Sequence, residues 1–124
     1  MEIRVLSAKE MSRALDMGEL IEEMKLAFQQ LSADRAMMPL RKRINLPEQK
    51  AVFLAMPAAL PDQKKLAVKM VSVFGKNPEI GLPLIHALVT VFDAETGTPA
   101  ALMDGEVLTA KRTGAGSGAA TDLL

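Results

Sequence analysis

Two stretches, Leu66–Phe74 (LAVKMVSVF) and Ile85–Phe92 (IHALVTVF), are nearly continuous apolar runs rich in Val. Such runs predict central strands of a sheet covered on both faces. The segment between them, GKNPEIGLP, is a Gly and Pro loop. With two central strands in the middle of the chain, the remaining segments must extend the sheet or pack on it.

Glu2–Val5 alternates polar and apolar side chains, as a short half-buried strand does. Ser7 with Glu10 is a capping-box pattern, and Asp16 with Glu19 repeats it, so helices are expected from about residues 8 and 17. In the second, Leu20, Met24, Ala27, Phe28 and Leu31 share one side, and Glu22, Glu23, Lys25, Gln29 and Gln30 the other. That spacing predicts an amphipathic helix of about four turns.

After Pro39 the period becomes two. Leu40, Ile44 and Leu46, interrupted by Lys42, fall on one face, and Arg41, Arg43 and Asn45 on the other, giving a strand with a basic face. Ala51–Met56 reads as a further strand, with Pro57 and Pro61 bracketing a turn-like segment. DAETGTP (93–99) has hairpin-turn chemistry, Ala100–Met103 returns as a short strand, and Asp104 and Gly105 end it. From Glu106 helix formers and small residues run to Leu124 without a Gly or Pro stop signal, so this helix reads as interrupted. No internal repeat is apparent. The expectation is one domain of the α/β (α+β-like) class, a mixed open sheet of about six strands with flanking helices.

A chain of 124 residues can bury enough surface to fold without disulfide or metal. Its 15 Lys and Arg balance 15 Asp and Glu, which argues against an electrostatic nucleic-acid binder and toward small-molecule or protein partners. Having no Cys, it has no thiolate nucleophile and no Cys-based metal site. MEIRVLSAKE lacks the basic and apolar regions of a leader, and no apolar run is long enough for a membrane helix. A cytoplasmic location is therefore expected.

Lys69 is the most informative residue. Alternation places it on the face of Ala67, Val71 and Val73, where an ammonium loses water and needs an anion or a lowered pKa; a head group snorkelling to water from a strand edge is the plainer alternative. Arg41 and Arg43 project to one side and suit a carboxylate, or simply a solvated edge. Arg112 stands among small residues in AKRTGAGSGA, and is either a ligand cation or a surface arginine. His86, the only His, has no pattern of metal ligands around it and reads as a hydrogen-bonded core histidine. Gly114, Gly116 and Ala119 spell the dinucleotide fingerprint, but no apolar strand precedes them. They read as helix-packing positions, and the nine Met as core filler.

Taken in order, MPLRKR, LAVKMVSVF, NPEIGLP, FDAETGTPAALMDG and LTAKRTGAGSGAAT resemble the ornithine cyclodeaminase and mu-crystallin family over essentially the whole chain. The resemblance implies that residues 1–124 are the first part of a substrate-binding and dimerisation domain. The family's nicotinamide-binding Rossmann domain, with its phosphate-binding loop and acidic catalytic residue, would follow and is absent from this chain. By resemblance Lys69 is the substrate-pocket lysine that contacts substrate and relays protons. Arg112 is the arginine of the RT motif near the substrate carboxylate and the cofactor, Thr113 its cofactor-binding neighbour, and Arg41 the first pocket cation, with Arg43 second choice for that role. Leu84 stands where some members carry a Thr that touches cofactor.

The implied chemistry is NAD- or NADP-dependent hydride transfer at the α carbon of a small amino or imino acid. It runs as ornithine cyclodeamination or as reduction of a cyclic imine, in a homodimer, with catalysis by positioning. Residues 1–124 alone are expected to be inactive. Two other readings stay open: a noncatalytic carboxylate-binding or oligomerisation module, and an inactive gene fragment.

Overall fold

Strand β1 (Arg4–Leu6) leads directly into helix α1 (Ala8–Ala14) of the computed structural model, which describes residues 1–124. The expected caps start both early helices. Ser7 Oγ accepts from the Glu10 N–H while Glu10 returns a bond to the Ser7 N–H at 2.7 Å, and Asp16 caps α2 (Met17–Ser32) through the Glu19 N–H at 2.9 Å.

The chain then forms β2 (Lys42–Leu46), β3 (Ala51–Leu60), β4 (Lys65–Phe74), β5 (Ile85–Asp93) and β6 (Pro99–Asp104), and ends in α3 (Gly105–Leu123). The six strands lie in the order β1-β6-β5-β4-β3-β2, antiparallel except for the parallel β1–β6 pair. This is the mixed α/β sheet expected. No helix is long and apolar enough to cross a membrane.

Three expectations are corrected. Pro57 does not end β3, which runs through it to Leu60. β2 pairs with β3 only as far as Ala55, and Ala59 exchanges both backbone bonds with Met37 on that same side. Pro57 has the same parity as Ala59, so its missing N–H falls at the open edge past the end of β2, where the ladder loses nothing. Secondly, the sequence does contain a repeat: Leu46-Pro47-Glu48-Gln49-Lys50 and Leu60-Pro61-Asp62-Gln63-Lys64 make the same connection twice. Each is one turn of 3-10 helix that closes on a left-handed lysine, Lys50 with φ 51° and Lys64 with φ 56°.

Thirdly, the central strands are covered on one face only. All three helices lie on the face that carries Lys69, Val71 and Val89, where Met11, Val71, Val89, Ala115 and Ala119 are the buried apolar residues. The other face has Ile44, Phe53, Met70, His86 and Leu88 in adjacent rows, with Ile44 58% and Leu88 46% exposed. His86 is therefore not a core histidine. Its side chain lies on this open face, half exposed.

Small residues let α3 pack closely, as expected. A Cβ on Gly105 would stand 2.8 Å from the backbone of Ala87, and one on Gly118 2.8 Å from the Ile21 side chain; Ala115 and Ala119 are fully buried. The glycines of the fingerprint-like cluster thus sit within a helix, with Gly114 and Gly116 facing Met17 and Met24. They form no turn that could cradle a phosphate. The methionines divide: Met11 is core, whereas Met37 and Met38 are largely exposed.

Candidate active site

The register of the sheet sets Lys69 of β4 opposite Met56 of β3 on one side and Val89 of β5 on the other. Lys42 pairs with Ala55, so Arg41, the residue before β2, extends the same row beyond Met56. Helix α3 crosses above, and Lys69 Nζ lies 3.4 Å from Thr109 Oγ1. Asp104 anchors that helix by accepting from the Val107 N–H at 2.8 Å. Lys111, next to Arg112, ties it to α1 by donating to the carbonyls of Ser12 and Leu15 at 2.8 and 3.0 Å. Those are C-terminal carbonyls of a short helix, where a cation is favoured.

Lys69, Thr109 and Thr113 border an open cavity of about 710 Å³ whose remaining walls include Met56, Val71, Leu84 and Ile85. A larger hollow, about 810 Å³, lies against β1 and β6, but its only charged residues are Glu2 and Arg4.

Burial lowers the pKa of Lys69, and the positive charges of Arg112 and then Arg41 lower it further. Arg112 and Arg41, the other two cations expected from the sequence, are thus near enough to act on Lys69 through their charge, although neither lines the cavity. None of them has a carboxylate within ion-pair distance. A half-buried ammonium under the charge of two guanidinium groups is an incomplete charge arrangement that a small carboxylate would complete.

Arg43 lies one row further along the same face, opposite Leu54, and its Nε donates to Asn45 Oδ1 at 2.7 Å. Thr113 is turned back on its own helix, donating to the Thr109 carbonyl at 2.7 Å. Leu84 lines the cavity with an apolar side chain. No group of three or more His, Cys, Asp or Glu is placed to hold a metal ion.

Sequence reasoning missed Thr109 and Met56. Threonine in a helix of small residues gives no local signal, and Met56 belongs to the site only through its pairing with Lys69.

The profile of the ornithine cyclodeaminase/mu-crystallin family matches residues 1–124. The chain belongs to that family. It is 38% identical over 120 residues to a Delta(1)-pyrroline-2-carboxylate reductase of Bacillus cereus, covering 97% of this chain and 37% of that relative's length. The chain thus spans well under half of that relative.

Among solved structures, that of Thermococcus litoralis Delta(1)-pyrroline-2-carboxylate reductase in complex with NADH and L-proline superposes with TM-score 0.86 at 40% identity, covering 94% of this chain and 36% of that one. An archaeal alanine dehydrogenase dimer with bound NAD gives 0.87 at 33%, covering 95% and 36%. Relatives of the chain therefore bind the nicotinamide cofactor that the resemblance implies.

The lowered pKa of Lys69 gives the site a pH dependence with a definite sign. A bound carboxylate favours the charged ammonium and raises its pKa, so binding takes up a proton wherever the free lysine is partly neutral. Affinity for pyrrole-2-carboxylate, a planar and uncharged-ring analogue of a cyclic imino acid, is expected to fall as pH rises through the lowered pKa, below the range of an ordinary lysine near 10.4. Calorimetry across that range, in buffers of different ionisation heat, checks both effects; a flat profile contradicts the role of Lys69.

Proposed function

We propose that residues 1–124 are the substrate-binding and dimerisation part of an NAD(P)-dependent reductase of small imino acids. The observation that carries this reading is Lys69 on the wall of a largely apolar cavity, under the positive charges of Arg112 and Arg41, with no carboxylate within ion-pair distance of any of the three.

In this reading Lys69 holds one substrate carboxylate oxygen and the two guanidinium groups the other, which fixes the plane of the adjacent carbon–nitrogen bond. Met56, Val71 and Ile85 shield that bond from water. The bound carboxylate restores the ammonium that burial disfavours, so Lys69 carries a proton in the complex and serves as a relay toward the substrate nitrogen.

Arg112 and Thr113, on the exposed side of α3, face the nicotinamide. When bound, the cofactor supplies the hydride equivalent that reduces the carbon–nitrogen double bond. Its phosphates are held by residues outside 1–124, since the only glycine cluster resembling a phosphate-binding turn is packed against α2. The open sheet face is the dimer surface: Ile44, Phe53, Met70 and Leu88 lie in adjacent rows there, beside Lys42, Ser72 and His86, with Ile44 and Leu88 exposed.

The test is an assay of the full-length protein with NADH and with NADPH against Delta(1)-pyrroline-2-carboxylate, with L-proline, L-alanine and L-ornithine in the oxidising direction. Cofactor-dependent reduction of the cyclic imine is expected. Silence of the folded protein across all four compounds overturns the reading.

A further inference from the structure

Glu106 is the one carboxylate on the walls of the cavity that holds Lys69. It stands in the first turn of α3, three residues before Thr109 and seven before Thr113. The three therefore follow one side of the helix, a turn apart, with Glu106 and Thr109 Cβ atoms about 5–6 Å from each other. Thr109 meets the Lys69 ammonium. The cavity thus has a cation and an anion along one wall, with Val71, Ile85 and Ala87 as apolar surface around them.

Glu106 is half exposed and stands in the first turn of α3, where the helix dipole favours an acid, and no lysine or arginine pairs with it. Its one neighbour of opposite potential charge is His86, whose Nδ1 is 3.8 Å away, an ion pair only when the imidazole is protonated and too long for a hydrogen bond. Glu106 makes no side-chain cap of its own, since the Val107 N–H is taken by Asp104. Glu106 also borders the hollow on the open sheet face that contains His86, so a role as the partner of His86 is the competing explanation.

We propose that Glu106 receives the cationic nitrogen of the substrate while Lys69, Arg41 and Arg112 take its carboxylate. This rests on the carboxylate-site reading above and adds the residue that distinguishes a zwitterionic amino or imino acid from a neutral acid of the same shape. The nitrogen is either the one on the α carbon or one at the far end of the side chain, and both present the same charge-assisted N–H donors.

The experiment measures binding to the full-length protein of four probes: pyrrole-2-carboxylate, which has no cationic nitrogen; L-proline and L-norvaline, which have one on the α carbon; and L-ornithine, which has a second at the chain end. Glu106→Gln is expected to leave pyrrole-2-carboxylate within about twofold and to weaken a cationic ligand by about tenfold, the factor of one charge-assisted hydrogen bond. Loss on L-proline, L-norvaline and L-ornithine together assigns the α nitrogen, and loss on L-ornithine alone the distal one. Glu106→Asp retains part of the preference, and His86→Ala leaves it unchanged.

Equal effects of Glu106→Gln on all four probes, or reproduction of its effect by His86→Ala, overturn the inference. Pyrrole-2-carboxylate separates the two failures. Binding that is absent, or indifferent to Lys69→Ala, sinks the carboxylate-site reading and the inference with it. Binding that depends on Lys69, with no cationic ligand shifted, sinks the inference alone.

Discussion

Replacing Lys69 by Met is expected to lower kcat/KM of the full-length protein for a cyclic imino acid by about 100-fold or more, while leaving the melting temperature unchanged or slightly raised. The two signs come from one cause. Burial and the charges of Arg112 and Arg41 make the ammonium unfavourable in the empty site, so removing it costs the fold nothing, and an unbranched thioether fills the same row beside Met56 and Val89. The bound carboxylate, in contrast, loses a charge-assisted hydrogen bond in a partly desolvated cavity, worth about 3 kcal/mol or two decades in rate. Steady-state kinetics and thermal unfolding of the same preparation check this. A variant that loses stability and activity together makes Lys69 a structural residue; one that keeps activity ends its role as substrate ligand.

The second large effect is expected on the open sheet face. In an isologous dimer each substitution occurs twice and meets its own copy across the two-fold axis. Leu88→Glu would set carboxylates into the apolar patch made by Ile44, Phe53 and Met70, where charge without a partner is costly. The particle mass from light scattering should halve, and the melting temperature should fall and lose its dependence on protein concentration. An unchanged mass would contradict the proposed dimer surface. Lys9→Glu, at an exposed position of α1, serves as the charge control and should change neither quantity.

Much of this arrangement was legible in particular residues. Ser7 and Asp16 announced their helices because capping is local chemistry, settled within three residues. Lys69 stood out because a charge in an apolar strand must face something, and its partners follow from strand parity. That the charges of Arg41 and Arg112 bear on it was legible only through the family resemblance, since they come from a strand end and a helix distant in sequence.

The misreadings share a physical origin. Pro57 is tolerated in β3 because the neighbouring strand ends at Ala55, and no property of AVFLAMPAAL announces where its neighbour stops. The run IHALVTVF predicts burial on both faces, yet an apolar strand face does not encode whether its cover is a helix of the same chain or another surface. His86, taken for core, lies on that uncovered side. The doubled Leu-Pro-acid-Gln-Lys turn was legible in the letters alone and was missed because its two copies are short and flank a dissimilar strand.

The most direct test of the account is a crystal structure of the full-length protein with NADH and L-proline, read at one point: where the carboxylate of the amino acid sits. The account predicts both oxygens within hydrogen-bond distance of Lys69 Nζ and the guanidinium groups of Arg41 or Arg112, with the ring against Met56 and Val71. A carboxylate bound elsewhere, with Lys69 facing only Thr109 and water, would contradict it.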